Sequence, residues 1–203
     1  MNIALIEGSP RRDGNTAQLA RLLTQRLQEE AAPGSDAATV TRISVAEQHF
    51  APCTGCNACL RTGECTLHED HDATPAAYAA IDACDALLWV TPLYFASVPA
   101  QLKSLIDRFQ VYYGRRLRRG KPTAPRRPAA AVILGAGGDP FGAEAAVLTL
   151  RSASQMAEFT LTDPLVVLGP DASGDIFSER FAPERAAALA TVDALRERAV
   201  ARA

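Results

Sequence analysis

Five short apolar runs alternate with amphipathic helical stretches along this 203-residue chain, and that alternation limits the fold more than any other feature. Ile3 to Ile6 is a β-type run that stops at Gly8. Gly14 to Glu30 reads as a helix, with Leu19, Leu22, Leu23 and Leu27 on one face at helical spacing. Asn15 suits its N-cap, with Gln18 three residues on. A turn is expected at Ala32 to Asp36, and Ala38 to Val45 fits a second strand. Ala86 to Thr91 is almost wholly apolar, as a strand covered on both faces should be. Ser97 to Phe109 follows as a helix, turning Val98, Leu102, Leu105, Ile106 and Phe109 to the core. Ala129 to Leu134 and Leu161 to Leu168 complete the strands. Glu144 to Glu158 and Pro183 to Ala201 complete the helices. Strands alternating with helices predict a parallel sheet with helices on both faces. In such sheets ligands sit at the carboxyl ends of strands, where the winding reverses. The loops after the first, third and fourth strands are therefore the informative ones.

This length suits a single domain over residues 1–203. A net charge of −2 gives no support to a nucleic-acid binder or a strongly acidic carrier. No run of 18 apolar residues is present, so a membrane span is not expected. The N-terminal MNIALIEGSPRR has no basic segment ahead of an apolar one, so it does not read as a secretory signal, and a cytoplasmic location is expected. One stretch breaks the rhythm. His49 to Thr74 lacks periodicity and holds four of the five cysteines, as an insertion at about 49–74 would.

The first informative loop is Gly8-Ser9-Pro10-Arg11-Arg12-Asp13-Gly14-Asn15-Thr16. It joins a strand to a helix N-terminus, where free N–H groups and the positive end of the helix dipole suit a phosphate. Ser9, Asn15 and Thr16 can add side-chain hydrogen bonds, and Arg11 can add charge. A capped turn that binds nothing has the same composition. Walker A is excluded, because five residues separate Gly8 from Gly14 and Asn15 stands where lysine is required. The later Gly135-Ala136-Gly137-Gly138-Asp139-Pro140 fails G-x-G-x-x-G at Pro140, which disfavours a dinucleotide held in Rossmann fashion.

GSPRRDGNT after the first strand resembles the phosphate loop of flavodoxin-like NAD(P)H-dependent FMN reductases. Thr91 to Phe109 is similar to their second signature, a P-x-Y-x-x-x-x-x-A-x-x-K-x-x-I-D-R pattern from Pro92 to Arg108. The glycine-rich turn after the fourth strand resembles their third. The resemblance runs from about residue 2 to about residue 170. It implies a flavodoxin-like three-layer α/β sandwich, with a five-stranded parallel sheet of order 2-1-3-4-5 and helices on both faces. It also implies FMN phosphate contacts at Ser9, Arg11, Asn15 and Thr16. The flavin ring would lie against Pro92, Leu93, Tyr94 and Phe95, with Gly135, Gly137 and Gly138 letting backbone approach the ring edge. No catalytic side chain is implied, because hydride passes between NAD(P)H, the co-substrate, and the flavin itself.

Cys53, Cys56, Cys59 and Cys65 follow C-x2-C-x2-C-x5-C. Thiols this close, in a chain without a secretion signal, favour a metal or cluster over disulfides. Reduced structural cysteines remain open, as does a zinc site using some of them with His68 or His71. The spacing resembles the motif that holds a [4Fe–4S] cluster in iron–sulfur flavoproteins. It equally resembles a wider group of relatives not known to hold one, with Gly55, Gly63, Glu69 and Asp70 in matching places. Thr66 replaces the proline that usually follows the last ferredoxin cysteine. Cys84 precedes a buried run and reads as a core cysteine.

Gly114 to Pro128 reads as a solvated loop carrying Arg115, Arg116, Arg118, Arg119, Lys121, Arg126 and Arg127. A sharper reading has some of these meeting the 2′-phosphate of NADPH or an acidic partner. The expected activity is FMN-dependent NAD(P)H oxidoreduction, passing two electrons to a quinone, a nitro or azo compound, or free flavin. The alternative is an electron-transfer flavoprotein, flavodoxin-like or iron–sulfur, without fast nicotinamide chemistry; a third reading is a redox sensor. The resemblance further implies a homodimer or higher homo-oligomer, with Tyr112, Tyr113 and the Arg-rich segment as candidate interface positions.

Overall fold

Strand β3 (Ala86–Pro92) is buried along its whole length and forms the centre of a parallel sheet. A computed structural model describes residues 1–30, 37–67, 70–120 and 125–202. The turn expected at Ala32 to Asp36 lies outside those residues, as do His68, Glu69 and Lys121. The strand order is β2-β1-β3-β4-β5, with β6 also paired to β4. The remaining strands are β1 (Asn2–Glu7), β2 (Thr39–Ser44), β4 (Arg127–Gly135), β5 (Phe159–Leu161) and β6 (Leu165–Leu168). Every pairing is parallel, with Ile3 opposite both Val40 and Ala86 and with Leu87 opposite Ala129. This is the expected flavodoxin-like winding, which reverses between β1 and β3.

The last strand departs from expectation. Leu161 to Leu168 reads as one strand, but it forms two pieces that share the β4 edge. Leu161 lies opposite Ala129 and Leu165 opposite Val132, so four steps on one side meet three on the other. That single extra residue is a bulge. It falls at Thr162-Asp163-Pro164, where proline offers no N–H to the ladder.

Alternate residues of each strand feed two cores. One face carries Ile3, Leu5, Leu88 and Val132 under helices α1 (Asn15–Gln28) and α7 (Ala182–Val200). Leu19, Leu23 and Leu27 of α1 are fully buried there, each contributing about 1.5–3 kcal/mol. The opposite face carries Ala4, Ile6, Leu87, Trp89 and Ile133. It is covered by α3 (Thr74–Ala83), α4 (Ala100–Arg108) and α6 (Glu144–Met156). Trp89 is wholly buried, and its indole N–H donates to Ser154 Oγ at 2.9 Å. All five residues expected to face the core from the fourth helix do so, but the helix starts at Ala100 instead of Ser97. Pro99 disfavours helical backbone at Val98, and Ser97 is paired with Tyr94.

Two helices lie where the sequence reading had loop. The short α2 (Ala58–Thr62) sits inside the cysteine insertion, and α5 (Gln110–Arg119) occupies the first half of the supposed basic loop. Arg115, Arg116, Arg118 and Arg119 are therefore helical, and Arg127 opens β4. Tyr112 is not an interface position: it is buried edge-on between Tyr78 and Phe109, at centroid distances of 5.7 and 5.1 Å. Tyr113 is exposed. Among the described residues no helix is long and apolar enough to cross a membrane.

Candidate functional site

The carboxyl ends of β1, β3 and β4 lie side by side, so the three loops singled out by sequence share one end of the sheet. Gly8 leaves β1 through a tight gap. A Cβ there would fall 2.6 Å from both Leu102 Cδ2 and Thr91 Oγ1, so any larger residue would have to displace these buried side chains. Its N–H donates to Val90 O at 2.8 Å. The loop then closes on itself. Ser9 Oγ accepts from the Arg11 N–H at 3.1 Å and donates to Arg11 O at 2.9 Å. Side chains also claim its carbonyls: Gln18 and Ser173 donate to Asp13 O, and Arg21 donates to Arg12 O.

Helix α1 starts at Asn15 itself, so its cap falls one residue before the expected one. Gly14 occupies the N-cap position, no side chain caps the helix, and its first turn carries no acidic residue. Asn15 is instead a cross-link. Its amide donates to Ala172 O at 2.8 Å and accepts from the Ile176 N–H at 3.2 Å, tying α1 to the segment after β6. Asn15, Thr16 and Ala17 are buried, and first-turn N–H groups have no partner within a helix. Loop carbonyls already engaged by side chains, together with N–H groups left at an uncapped N-terminus, are what an anion requires. Arg11 is exposed beside the loop.

After β3 the chain makes a two-residue hairpin turn. Tyr94 and Ser97 exchange both backbone bonds, at 2.9 and 3.0 Å. Phe95 and Ala96 between them have φ of 49° and 57°. Two successive L-residues in the left-handed region store strain, about 1–2 kcal/mol each. Phe95 is 98% exposed, so no packing compensates for it within this chain. Beside the turn lies a cleft of about 220 Å³ lined by Leu93, Phe95, Gly135, Gly137, Gly138 and Leu168. Gly137 and Gly138 have φ of 92° and 82°, and a Cβ on Gly138 would meet nothing within 4 Å. Of the expected ring-wall residues, Leu93 and Phe95 line this cleft. Pro92 ends β3 below it, and Tyr94 is held in the hairpin. Leu168 and Asp139 of the cleft lining were not anticipated. They come from β6 and from a turn in which Asp139 Oδ1 accepts from the Phe141 N–H at 2.9 Å.

The cysteine insertion forms a second site. Cys53, Cys56, Cys59 and Cys65 are free thiols around one void of about 20 Å³, with Arg108 and Val111 among its other walls. Gly55 and Asn57 are left-handed, with φ of 68° and 58°. The Ala58 N–H, aided by Thr66 and Thr54, holds the exposed Cys56 thiol below its ordinary pKa. Burial pushes Cys59 up, and the neighbouring Cys65, Cys53 and Cys56 add to that. His71 is exposed and does not line the void. Among the described residues no three His, Cys, Asp or Glu side chains already stand as a metal-binding group. Cys84 is a core thiol, as expected, with its pKa raised to about 11 by burial.

Arg115 and Arg118 of α5 line neither the cleft nor the thiol void. Arg115 donates to Gly63 O and to Asp82 at 3.1 and 2.8 Å, and Arg118 bonds Arg61 O. Arg127 donates to Ile81 O, Asp82 O, Cys84 O and Ala157 O. These groups gather where β3 and β4 begin, at the opposite end of the sheet from the cleft. Arg115, a candidate for the 2′-phosphate of NADPH, does not line that cleft.

Over 108 residues the chain is 35% identical to an iron–sulfur flavoprotein of Methanocaldococcus jannaschii, a match covering 53% of this chain and 51% of that one. It is 33% identical over 116 residues to an iron–sulfur flavoprotein of Archaeoglobus fulgidus, covering 57% and 49%. These matches span about half the length of the relatives. The solved NAD(P)H:quinone oxidoreductase from Methanothermobacter marburgensis shares the fold, with a TM-score of 0.63 at 18% identity over 96% of this chain and 94% of that one. The family model for NADPH-dependent FMN reductase matches residues 1–171, from β1 past β6 and through all three loops, and the chain belongs to that family of oxidoreductases.

Proposed function

We propose that this chain is an FMN-dependent NAD(P)H oxidoreductase that delivers two electrons to a small oxidised acceptor: a quinone, a nitro or azo compound, or free flavin. One observation carries this reading. The uncapped N-terminus of α1, with the Arg12 and Asp13 carbonyls engaged by side chains, stands one strand from an apolar, glycine-edged cleft. That pairing suits a ligand with a phosphate at one end and a flat ring at the other. The first-turn N–H groups, Thr16 and Arg11 would hold the phosphate. Ser9 shapes the loop and Asn15 anchors it. Leu93 and Phe95 would face the ring, and Gly135, Gly137 and Gly138 would bring backbone to its edge. FMN, when bound, supplies the hydride-accepting chemistry; the residues bind it, orient it and exclude water.

Equilibrium titration of the purified chain with FMN is the test. Saturable binding, weakened at least tenfold by Gly138→Val, supports the assignment. No binding by a folded chain removes it. Rapid mixing of the FMN-loaded protein with NADPH or NADH then asks for fast bleaching of the flavin.

A second reading has its own support. Four thiols around one void, beside a buried guanidinium, have the donor chemistry for an iron–sulfur cluster held by Cys53, Cys56, Cys59 and Cys65. On that reading the chain passes single electrons, and bleaching by nicotinamide is slow while a low-potential protein donor reduces it quickly. Iron and acid-labile sulfide after anaerobic purification decide whether the cluster belongs to the protein. We further propose self-association through the groove bordered by exposed Tyr113 and Leu148, which sedimentation would detect.

A further inference from the structure

Arg108 ends the family-like signature, and helical spacing gives no warning of where its side chain goes. It is 2% exposed, a charged group placed where charges are costly unless compensated. Its guanidinium gathers the cysteine insertion. One nitrogen donates to Ala51 O and to Asp72 Oδ2, both at 3.0 Å, and the other donates to Leu67 O at 3.0 Å. Ala51 and Leu67 bracket all four clustered cysteines in sequence. Asp72 is buried as well, and its second oxygen accepts from the Thr74 N–H and hydroxyl at 3.0 and 2.6 Å. Arg108 Nε is buried without a hydrogen-bond partner, and the residue lines the thiol void.

Asp72 alone would balance Arg108 while the cysteines are neutral thiols. Four thiolates around the void would change that sum. The guanidinium lines the same void as the four sulfurs and keeps one buried N–H unpartnered there, so the buried cation is placed for a negative neighbour besides Asp72.

We propose that Arg108 is a positioning residue and counter-charge for a thiolate-held cluster, setting how readily that cluster accepts an electron. This deepens the iron–sulfur reading above and rests on it. Adding one electron to a guest held by four thiolates adds one negative charge beside the guanidinium and needs no proton. A nearby positive charge favours that step, and Asp72 offsets part of the effect.

The test uses the full chain, anaerobically loaded with iron and sulfide, in four forms: wild type, Arg108→Lys, Arg108→Gln and Asp72→Asn. Iron content, sulfide content and an EPR-monitored reduction midpoint are read for each. The midpoint should fall in Arg108→Gln, stay near wild type in Arg108→Lys and rise in Asp72→Asn. Opposite shifts are the signature, because a purely structural clamp would cost both variants loading and move neither midpoint in a charge-ordered way. If Arg108→Gln does not fold, the rise in Asp72→Asn decides alone. Loaded variants with unchanged midpoints, or with shifts of one sign, overturn the role of Arg108 and leave the cluster standing. A wild-type chain that retains no iron or sulfide overturns both.

Discussion

Gly114 of α5 lies directly on the backbone of Cys59 in α2: a Cβ at Gly114 would fall 2.7 Å from the Cys59 carbonyl carbon. The cysteine helix and the arginine helix can cross this closely only because one of them has no side chain at the contact. Intrinsic helix propensity favours alanine over glycine by about 1 kcal/mol. Sterics outweigh that here, since the obstacle is backbone and cannot rotate away. Gly114→Ala is expected to destabilise the chain by about 1–3 kcal/mol in urea unfolding and to speed modification of the cysteines by a thiol reagent. A stabilised variant would show that α2 and α5 do not meet in this way.

The same glycine explains part of what the sequence concealed. Gly114 and the arginines after it have the composition of an exposed loop, and only the partner helix, more than fifty residues earlier, makes a helix with glycine the better solution. The central strands were legible because β1, β3 and β4 are buried on both faces and so are almost continuously apolar. The break between β5 and β6 was not, because Leu161 and Leu165 to Leu168 carry the right residues and a bulge depends on the register of the neighbouring strand. The loop after β1 was singled out by its glycines and hydroxyls, but local sequence assigned Asn15 a cap, whereas its true partners, Ala172 and Ile176, lie more than 150 residues away. Arg108 was hidden for the same reason: an arginine at the end of an amphipathic helix reads as solvated until Asp72 is brought against it.

The strained turn at Phe95 and Ala96 offers a separation of stability from function. Asn-Gly is the preferred pair for a two-residue turn with both central φ positive. Phe95→Asn combined with Ala96→Gly should therefore stabilise the fold by about 1–2 kcal/mol, because the exposed phenyl ring contributes no packing and the left-handed strain is relieved. If Phe95 faces the flavin ring, the same variant should bind FMN several-fold more weakly. A variant with higher stability and unchanged FMN affinity would remove Phe95 from the site and leave the strain unexplained.

Glu7 supplies a pH signature. It is buried at the end of β1, with Arg42 donating to Oε2 and no partner for Oε1. Burial pushes its carboxyl above the ordinary value of 4.5, and Arg42 only partly opposes that. A carboxyl with a raised folded pKa holds its proton more tightly in the folded state. The resulting stabilisation is complete below the unfolded value and is lost as pH rises through the folded one. Glu7→Gln cannot titrate. Its stability relative to wild type should therefore increase as urea midpoints are followed upward from about pH 4, then level off. A difference that stays constant with pH would mean that Arg42 fully compensates the burial.

The thiols should react in an order set by their surroundings. Cys56 is exposed, and its thiolate is favoured first by the Ala58 N–H and then by Thr66 and Thr54. Cys84 is buried, with its pKa raised to about 11, and its thiol donates to Ile81 O at 3.3 Å. The thiolate is the nucleophile, so at neutral pH iodoacetamide should modify Cys56 first and Cys84 last, as peptide mass mapping would record. Thr66→Val should slow the first event by removing one of the groups that favour the thiolate, while leaving Cys84 unchanged. Loading with iron and sulfide should protect Cys53, Cys56, Cys59 and Cys65 together if they hold one cluster. Protection of only some of the four would point instead to a site that uses a subset of these sulfurs, and rapid modification of Cys84 in the native chain would mean that the core between α3 and β3 opens far more readily than its burial implies.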